Sequence, residues 1–400
     1  MAEAPWLTII GLGEDGPDGL TGASRAALDA AEFVMGPPRH LDLLGPVSAE
    51  TIAWPVPFAD GIPRLMNLRG RRVVVLASGD PFWFGAGSVL VRDLPPGEWT
   101  AMPGRSTFSL AAARLGWPLE ATHCLGLHAA PLTRLRPILA PAVRVLVLLR
   151  DGAAAGELAQ WLVDQGFGKT RLHLLESLGG PRERRRVTTA ADFALDDVTH
   201  PVCAGLEIAG QGRVLPLAAG RADDWFDHNG QITKRPVRAL TLSALAPTPG
   251  AHLWDIGAGS GSIGIEWLLA GRDLTVSAIE SDPARAARLT GNAARLGVGH
   301  RLTLIEGRAP EALSGLPVPA AVFVGGGLSQ ALLETLWLLI PLGARLVANA
   351  VTLESEALLS LWHADRGGEL YRIELAEASA LGRKRGWKSA YPIVQWSVVR

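Results

Sequence analysis

Leu253-Trp254-Asp255-Ile256-Gly257-Ala258-Gly259-Ser260-Gly261-Ser262-Ile263-Gly264 is the stretch that decides how this chain is read. An apolar run ends in an acid, glycines follow, and an apolar helical pattern starts at Ile263. Glycines let a backbone turn tightly and approach a ligand closely, and the start of a helix offers unpaired N–H groups. Outward from this loop, strand and helix patterns alternate. Arg238–Leu245 reads as helix, Leu253–Ile256 as strand and Ile263–Leu269 as helix. Thr275–Ile279, Leu302–Ile305, Ala321–Val324 and Ala344–Ala348 read as strands, with Pro283–Leu296 and Gln330–Leu339 as helices between them. This is a doubly wound α/β pattern, in which ligands are expected beyond the carboxyl ends of the strands.

The N-terminal part is also α/β but is punctuated differently. Apolar runs stand at Leu7–Ile10, Phe33–Met35, Val73–Ala77, Val143–Leu149, Leu172–Leu175 and Val202–Leu206, with helical patterns at Phe108–Leu115 and Ala155–Gln165. The first run ends in Gly11-Leu12-Gly13, the third in Ser78-Gly79-Asp80-Pro81, and Pro103-Gly104-Arg105-Ser106-Thr107 opens a helix. Pro216–Pro236 shows no period and reads as a linker or entry segment. The expected organisation is a domain over 1–215, with sub-domains of about 1–117 and 118–215, a linker over 216–236 and a second domain over 237–400.

At 400 residues, the chain is long for a single core. A net charge of −1 gives no general basic field and disfavours a nucleic-acid partner. Cys124 and Cys203 are isolated, which argues against a disulfide scaffold or a structural zinc site and suits a reduced, cytoplasmic setting. The most apolar long stretch, Ala331–Ala350, is interrupted by Glu334, Pro341, Gly343 and Arg345, so no membrane span is expected. No cluster with metal-ligand spacing is visible.

In the C-terminal half, Glu280 ends the next strand about 20 residues past the glycines, where a carboxylate accepts hydrogen bonds from ribose hydroxyls. Gly307, Arg308 and Ala309 close the third strand, where an adenine ring is covered. Asp255 beside the loop suits a cationic, amino-bearing ligand better than a pyrophosphate. A nicotinamide dinucleotide is the competing reading of the glycines alone. Asp255-x-Gly257-x-Gly259-x-Gly261 resembles motif I of the class I S-adenosylmethionine methyltransferases, and Glu280 resembles their ribose-binding acid. The N-terminal half resembles the tetrapyrrole methylase superfamily, the class III methyltransferases. Its members share a Gly-x-Gly strand end, a Gly-Asp-Pro loop and a Pro-Gly-x-Ser/Thr segment. That resemblance implies a second S-adenosylmethionine site in a cleft between sub-domains, with Gly11, Gly13, Gly79, Asp80, Ser106 and Thr107 around the cofactor. Leu149, Arg150, Cys203 and Ala204 would add contacts from the second sub-domain.

The two halves in this order resemble the fused, decarboxylating C5,15-methyltransferases of cobalamin biosynthesis. The likeness extends to Gln231-Ile232-Thr233-Lys234-Arg235, Phe323-Val324-Gly325-Gly326-Gly327 and Val347-Ala348-Asn349-Ala350. It implies methylation of C5 and C15 of a precorrin-6 macrocycle and loss of carbon dioxide from the C12 acetate, giving precorrin-8X. The N-terminal domain would act at C5 and the C-terminal domain at C15 and the acetate. Such a substrate carries many carboxylates, so basic anchors are expected: Lys234, Arg235 and Arg238, and a second cluster of Arg383, Lys384, Arg385 and Lys388. Asn349 is a candidate for orienting a propionate or bridging group, with core capping as the alternative. His228 and His252 could in principle transfer protons, but an isolated histidine is more often structural; Trp83 and Trp387 offer stacking faces, but most of the tryptophans must be core. The resemblance also implies a homo-oligomer, a tetramer through the C-terminal domain. A two-domain methyltransferase acting on RNA or protein, a nicotinamide oxidoreductase and a non-catalytic scaffold are the alternative functions.

Overall fold

The computed structural model describes residues 5–400. They fall into two compact units: one runs to Pro131 and resumes over Ala140–Arg213, and the other comprises Leu132–Leu139 and Val214–Arg400.

The first unit holds two five-stranded sheets. Strands β1 (Leu7–Leu12), β2 (Phe33–Gly36), β3 (Glu50–Ala53), β4 (Val73–Ser78) and β5 (Trp99–Met102) form a parallel sheet in the order β3-β2-β4-β1-β5. β4 is a near-continuous apolar run, as a strand covered on both faces requires. Strands β6 (His123–Gly126), β7 (Arg144–Leu148), β8 (Arg171–Glu176), β9 (Arg184–Thr189) and β10 (Val202–Glu207) form a mixed sheet in the order β6-β7-β10-β8-β9. Only the β6–β7 pair of that sheet is parallel.

The second unit is built on β11 (His252–Ile256), β12 (Thr275–Glu280), β13 (Leu302–Glu306), β14 (Ala321–Val324), β15 (Arg345–Ala350), β16 (Glu369–Ile373) and β19 (Ile393–Val399). A separate exposed hairpin is made by β17 (Ala376–Leu381) and β18 (Lys384–Ser389). The sheet order is β13-β12-β11-β14-β15-β19-β16, parallel except for β19, which runs against both neighbours. The chain leaves β11 toward β12 on one side and later places β14 on the other. The crevice therefore opens between the carboxyl ends of β11 and β14.

Three expectations need correction. Residues 216–236 are not a free linker. Trp225 and Phe226 lie in the core with Leu242, Leu245 and Ile263. The Gly220 and Arg221 N–H groups donate to Glu266 at 2.7 and 2.9 Å. Periodicity misses such a strap because isolated anchors, not a repeating face, bury it. The helix after it spans Arg235–Leu245 and starts before Arg238, because Pro236 sits in its first turn, where a missing N–H costs nothing. In addition, Leu132–Leu139 packs with the second unit rather than with the sub-domain expected over 118–215.

Candidate functional site

In the first unit, three turns meet at the carboxyl ends of β1, β4 and β5. Gly79 N–H donates to the Leu12 carbonyl at 3.0 Å and Gly104 N–H to the Gly79 carbonyl at 2.9 Å. A Cβ on Gly11 would stand 1.7 Å from the Gly79 oxygen and 2.3 Å from the Gly104 nitrogen. Side chains of any size are excluded there, so the backbones themselves build the wall. Ser106 caps the helix Thr107–Leu115 by accepting the Ser109 N–H at 3.0 Å.

Gly13, Gly79 and Thr107 line a cleft of about 320 Å³ whose other wall includes Leu148, Leu149, Leu175 and Cys203 from the second sheet. Asp80 turns back to accept the Phe82 N–H at 2.9 Å. Arg150 is more than half exposed and pairs with Asp151 and Glu157 at 2.7 and 3.0 Å, so it does not line the cleft as expected. Trp83 packs on Phe108 at 5.0 Å between ring centroids.

The cleft also holds polar groups that sequence reasoning missed. Glu14 pairs with Arg39 and, at 3.5 Å, with Arg182, and Asp15 pairs with Arg105. His40 is buried, with Nε2 2.9 Å from Arg39 Nη2 and 3.0 Å from Ser78 Oγ. Burial and then the Arg39 charge push the His40 pKa down to about 4. A guanidinium only donates, so Nε2 of a neutral His40 accepts and holds Arg39 at the cleft. No periodic or short-range signal joins these residues; the fold alone brings them together.

In the second unit the loop after β11 carries three left-handed glycines, Gly257 at φ +69°, Gly259 at +59° and Gly261 at +77°. A Cβ on Gly257 would lie 2.7 Å from the Gly326 nitrogen, so the loops after β11 and β14 touch at the crevice. A Cβ on Gly259 would meet nothing within 4 Å: this turn faces open space. Asp255 is buried. Its Oδ2 accepts the Gly264 N–H at 2.9 Å and its Oδ1 has no hydrogen-bond partner. Burial pushes the Asp255 carboxyl up to about 7; the Gly264 N–H opposes the rise and Glu280 adds to it. A buried carboxylate with a spare oxygen beside an open turn fits a cationic, amino-bearing ligand and opposes a pyrophosphate. Glu280 accepts N–H groups from Gly259 at 2.8 Å and from Ser281 and Asp282 at 2.9 Å each. A carboxylate has about four acceptor positions, so one remains for a ribose hydroxyl. Gly307 stands beside it, its N–H 3.1 Å from the Glu280 carbonyl, with Arg308 exposed and Ala309 half-buried next in the chain.

The remaining candidates divide sharply. Lys234 and Arg235 are exposed at the start of the helix Arg235–Leu245. Arg238 is fully buried between Glu266 at 2.7 Å and Asp223 at 3.0 Å, over the Phe226 ring, and so is no substrate anchor. His252 begins β11, held by Thr275 and Ser277 at the sheet end opposite the glycines, which removes it as a proton carrier. His228 accepts the Gly230 N–H at 3.0 Å. Arg383 lies in the turn of the exposed hairpin, with Lys384, Arg385, Trp387 and Lys388 on β18. Asn349 is half-buried near the end of β15, bonded to Thr241 and Gln395.

Comparison with known proteins gives two family matches: tetrapyrrole (corrin/porphyrin) methylases over residues 6–194 and a precorrin methyltransferase domain over residues 224–400. A protein of Sinorhizobium sp. named precorrin-6Y C(5,15)-methyltransferase [decarboxylating] is 49% identical over 399 residues, 98% of this chain and 96% of its own. A protein of the same name from Mycobacterium tuberculosis (strain CDC 1551 / Oshkosh) is 39% identical over 402 residues, 98% of this chain and 100% of its own. A Pyrobaculum aerophilum protein named probable cobalt-precorrin-6B C(15)-methyltransferase (decarboxylating) is 39% identical over 158 residues, 39% of this chain and 80% of its own.

Proposed function

The chain belongs to the precorrin-6Y C5,15-methyltransferase (decarboxylating) family, and on that premise we propose that it methylates C5 and C15 of a precorrin-6 macrocycle and removes the C12 acetate carboxyl as carbon dioxide, giving precorrin-8X. The observation that carries the reading is the pair of glycine-built cradles, one at the strand ends of each unit. Each is proposed to hold one S-adenosylmethionine. The N-terminal cradle serves C5, and the C-terminal one serves C15 and the decarboxylation. The Pyrobaculum relative supports a separable C15 activity, because its name pairs C15 methylation with decarboxylation in a protein matching only 39% of this chain.

S-adenosylmethionine supplies an electrophilic methyl group. The protein must align donor and acceptor, which is worth about 7–11 kcal/mol of barrier. In the C-terminal unit, Asp255 faces the cationic methionine portion, Glu280 holds the ribose, and Gly307, Arg308 and Ala309 cover the adenine. Gly257, Gly259 and Gly261 keep the loop close to the ligand. Lys234, Arg235 and Asn349 are proposed to hold carboxylates of the macrocycle. In the N-terminal unit, Gly11, Gly13, Gly79, Asp80, Ser106 and Thr107 form the cofactor's surroundings, and Arg39 and Arg105 face the polyanionic substrate.

The reading includes a homo-oligomer, a tetramer through the C-terminal unit, acting in the cytoplasm. Leu338, Leu342 and Leu353, exposed to 77%, 85% and 80%, support a covered surface there. Among the described residues, no helix is long and apolar enough to cross a membrane. The deciding experiment is the mass of a tetrapyrrole incubated with enzyme and S-adenosylmethionine. The wild-type chain is expected to add two methyl groups and lose one carbon dioxide. Asp255→Ala is expected to add only the C5 methyl. Loss of both methylations in that variant would contradict the divided labour.

A further inference from the structure

Thr241, Asn349 and Gln395 come from three elements and meet at the ligand end of the C-terminal sheet. Asn349 on β15 and Gln395 on β19 are directly opposed in the antiparallel ladder, so their side chains share a face. Thr241, from the helix Arg235–Leu245, closes over them. Thr241 and Gln395 are buried, while Asn349 is half-buried.

The hydrogen bonds leave one arrangement. The single Thr241 hydroxyl hydrogen goes to the Val237 carbonyl at 2.9 Å. Its oxygen can then only accept, so both amides facing it must present N–H. Gln395 Nε2 donates to it at 2.9 Å and Asn349 Nδ2 at 3.1 Å. With Asn349 Nδ2 turned to Thr241, its Oδ1 meets the second Gln395 N–H at 2.9 Å. The network takes one N–H of Asn349 and leaves the other.

The ladder also locates that spare donor. Asp255 pairs with Phe323, and Phe323 with Val347. Asn349 lies two residues past Val347, on the same face. That places it about 6–7 Å farther toward the strand ends than Asp255 and about 10 Å to the side. On the proposed function, with the methyl donor at Asp255, the macrocycle is taken to lie in that zone beyond the strand ends. Lys234 and Arg235 begin the helix that bears Thr241.

We infer that Gln395 and Thr241 are positioning residues: they lock the Asn349 carboxamide so that its spare N–H holds a carboxylate of the tetrapyrrole at the C15 site. The inference rests on the proposed function of the C-terminal unit. The full-length chain is assayed by product mass with varied tetrapyrrole and varied S-adenosylmethionine. Asn349→Ala, Gln395→Met and Thr241→Val should each raise the tetrapyrrole KM of the C15 step about ten- to a hundredfold, the range for one hydrogen bond to a charged group. C5 methylation and the KM for S-adenosylmethionine should stay unchanged. Thr241→Ser, which keeps the hydroxyl, should behave as wild type. Adding Gln395→Met to Asn349→Ala should cause no further loss, because the glutamine acts through the asparagine. Gln395→Met and Thr241→Val variants with wild-type tetrapyrrole KM, or an additive double variant, overturn the inference while leaving the function standing. A wild-type chain that adds a single methyl group overturns the function, and this inference with it.

Discussion

Asp255 is 1% exposed and has one oxygen without a partner, an arrangement that stability alone disfavours. Its carboxyl, normally near 3.8, is pushed up to about 7 in the folded chain, chiefly by burial. The folded state therefore binds this proton more tightly than the unfolded state. Below about pH 4 both states are protonated and the group is neutral to stability. As pH rises from there toward 7 the unfolded chain ionises first, and stability falls by about 1.36 kcal/mol per pH unit. Asp255→Asn should raise the melting temperature of the ligand-free C-terminal unit at pH 8, leave it nearly unchanged at pH 4, and abolish cofactor binding there. Calorimetry at the two pH values checks this; equal changes at both would refute the burial account. The glycines around Asp255 were legible in the sequence because tight turns and close backbone approach leave only one residue type. Arg238 was misread because its charge looks like an anchor until Glu266 is seen beside it.

At the scale of elements, Glu266 decides how the strap over residues 216–234, up to the helix Arg235–Leu245, is held. Its carboxylate receives the Gly220 and Arg221 N–H groups and the Arg238 guanidinium, with Arg221 Nη1 at 3.4 Å, and both arginines are buried. Removing one partner of a buried ion pair leaves an uncompensated charge and costs roughly 3–5 kcal/mol. Glu266→Ala should destabilise the C-terminal unit by that amount while the N-terminal unit unfolds as before; Glu266→Gln should cost less. Urea unfolding followed by calorimetry separates the two, and an unchanged C-terminal unit would show that the strap is held by Trp225 and Phe226 alone. Strands such as β4 and β14 were legible because buried parallel strands are near-continuous apolar runs. β9, Arg184-Arg185-Arg186-Val187-Thr188-Thr189, was not, because an edge strand salted with arginines carries no such run. Its order comes from Glu176, fully buried under Arg184 and Arg186 at 2.7 and 2.9 Å. The exposed β17–β18 hairpin escaped for the same reason, having no buried face to pattern.

For the molecule as a whole, the two cofactor cradles reach one chemistry by different routes. The N-terminal cradle is assembled from three turns of one sheet and finished by residues of a second sheet. The C-terminal one is a single strand–loop–helix segment with Glu280 beside it. The second was therefore almost complete in consecutive sequence. The first showed its glycines but not Glu14, Arg39 or His40, which meet only after folding. Two sites in separately packed units should bind independently. Titration calorimetry is expected to find two S-adenosylmethionine molecules per chain, falling to one in Asp255→Ala and to the other one in Gly11→Ala. A ligand that binds only the folded state at a hundredfold over its Kd adds about 2.7 kcal/mol. Each variant should thus lose the ligand-induced rise in melting temperature of its own unit and keep that of the other. One molecule bound per wild-type chain, or both rises vanishing together in either variant, would mean that the units share a single site and would overturn the two-cradle reading.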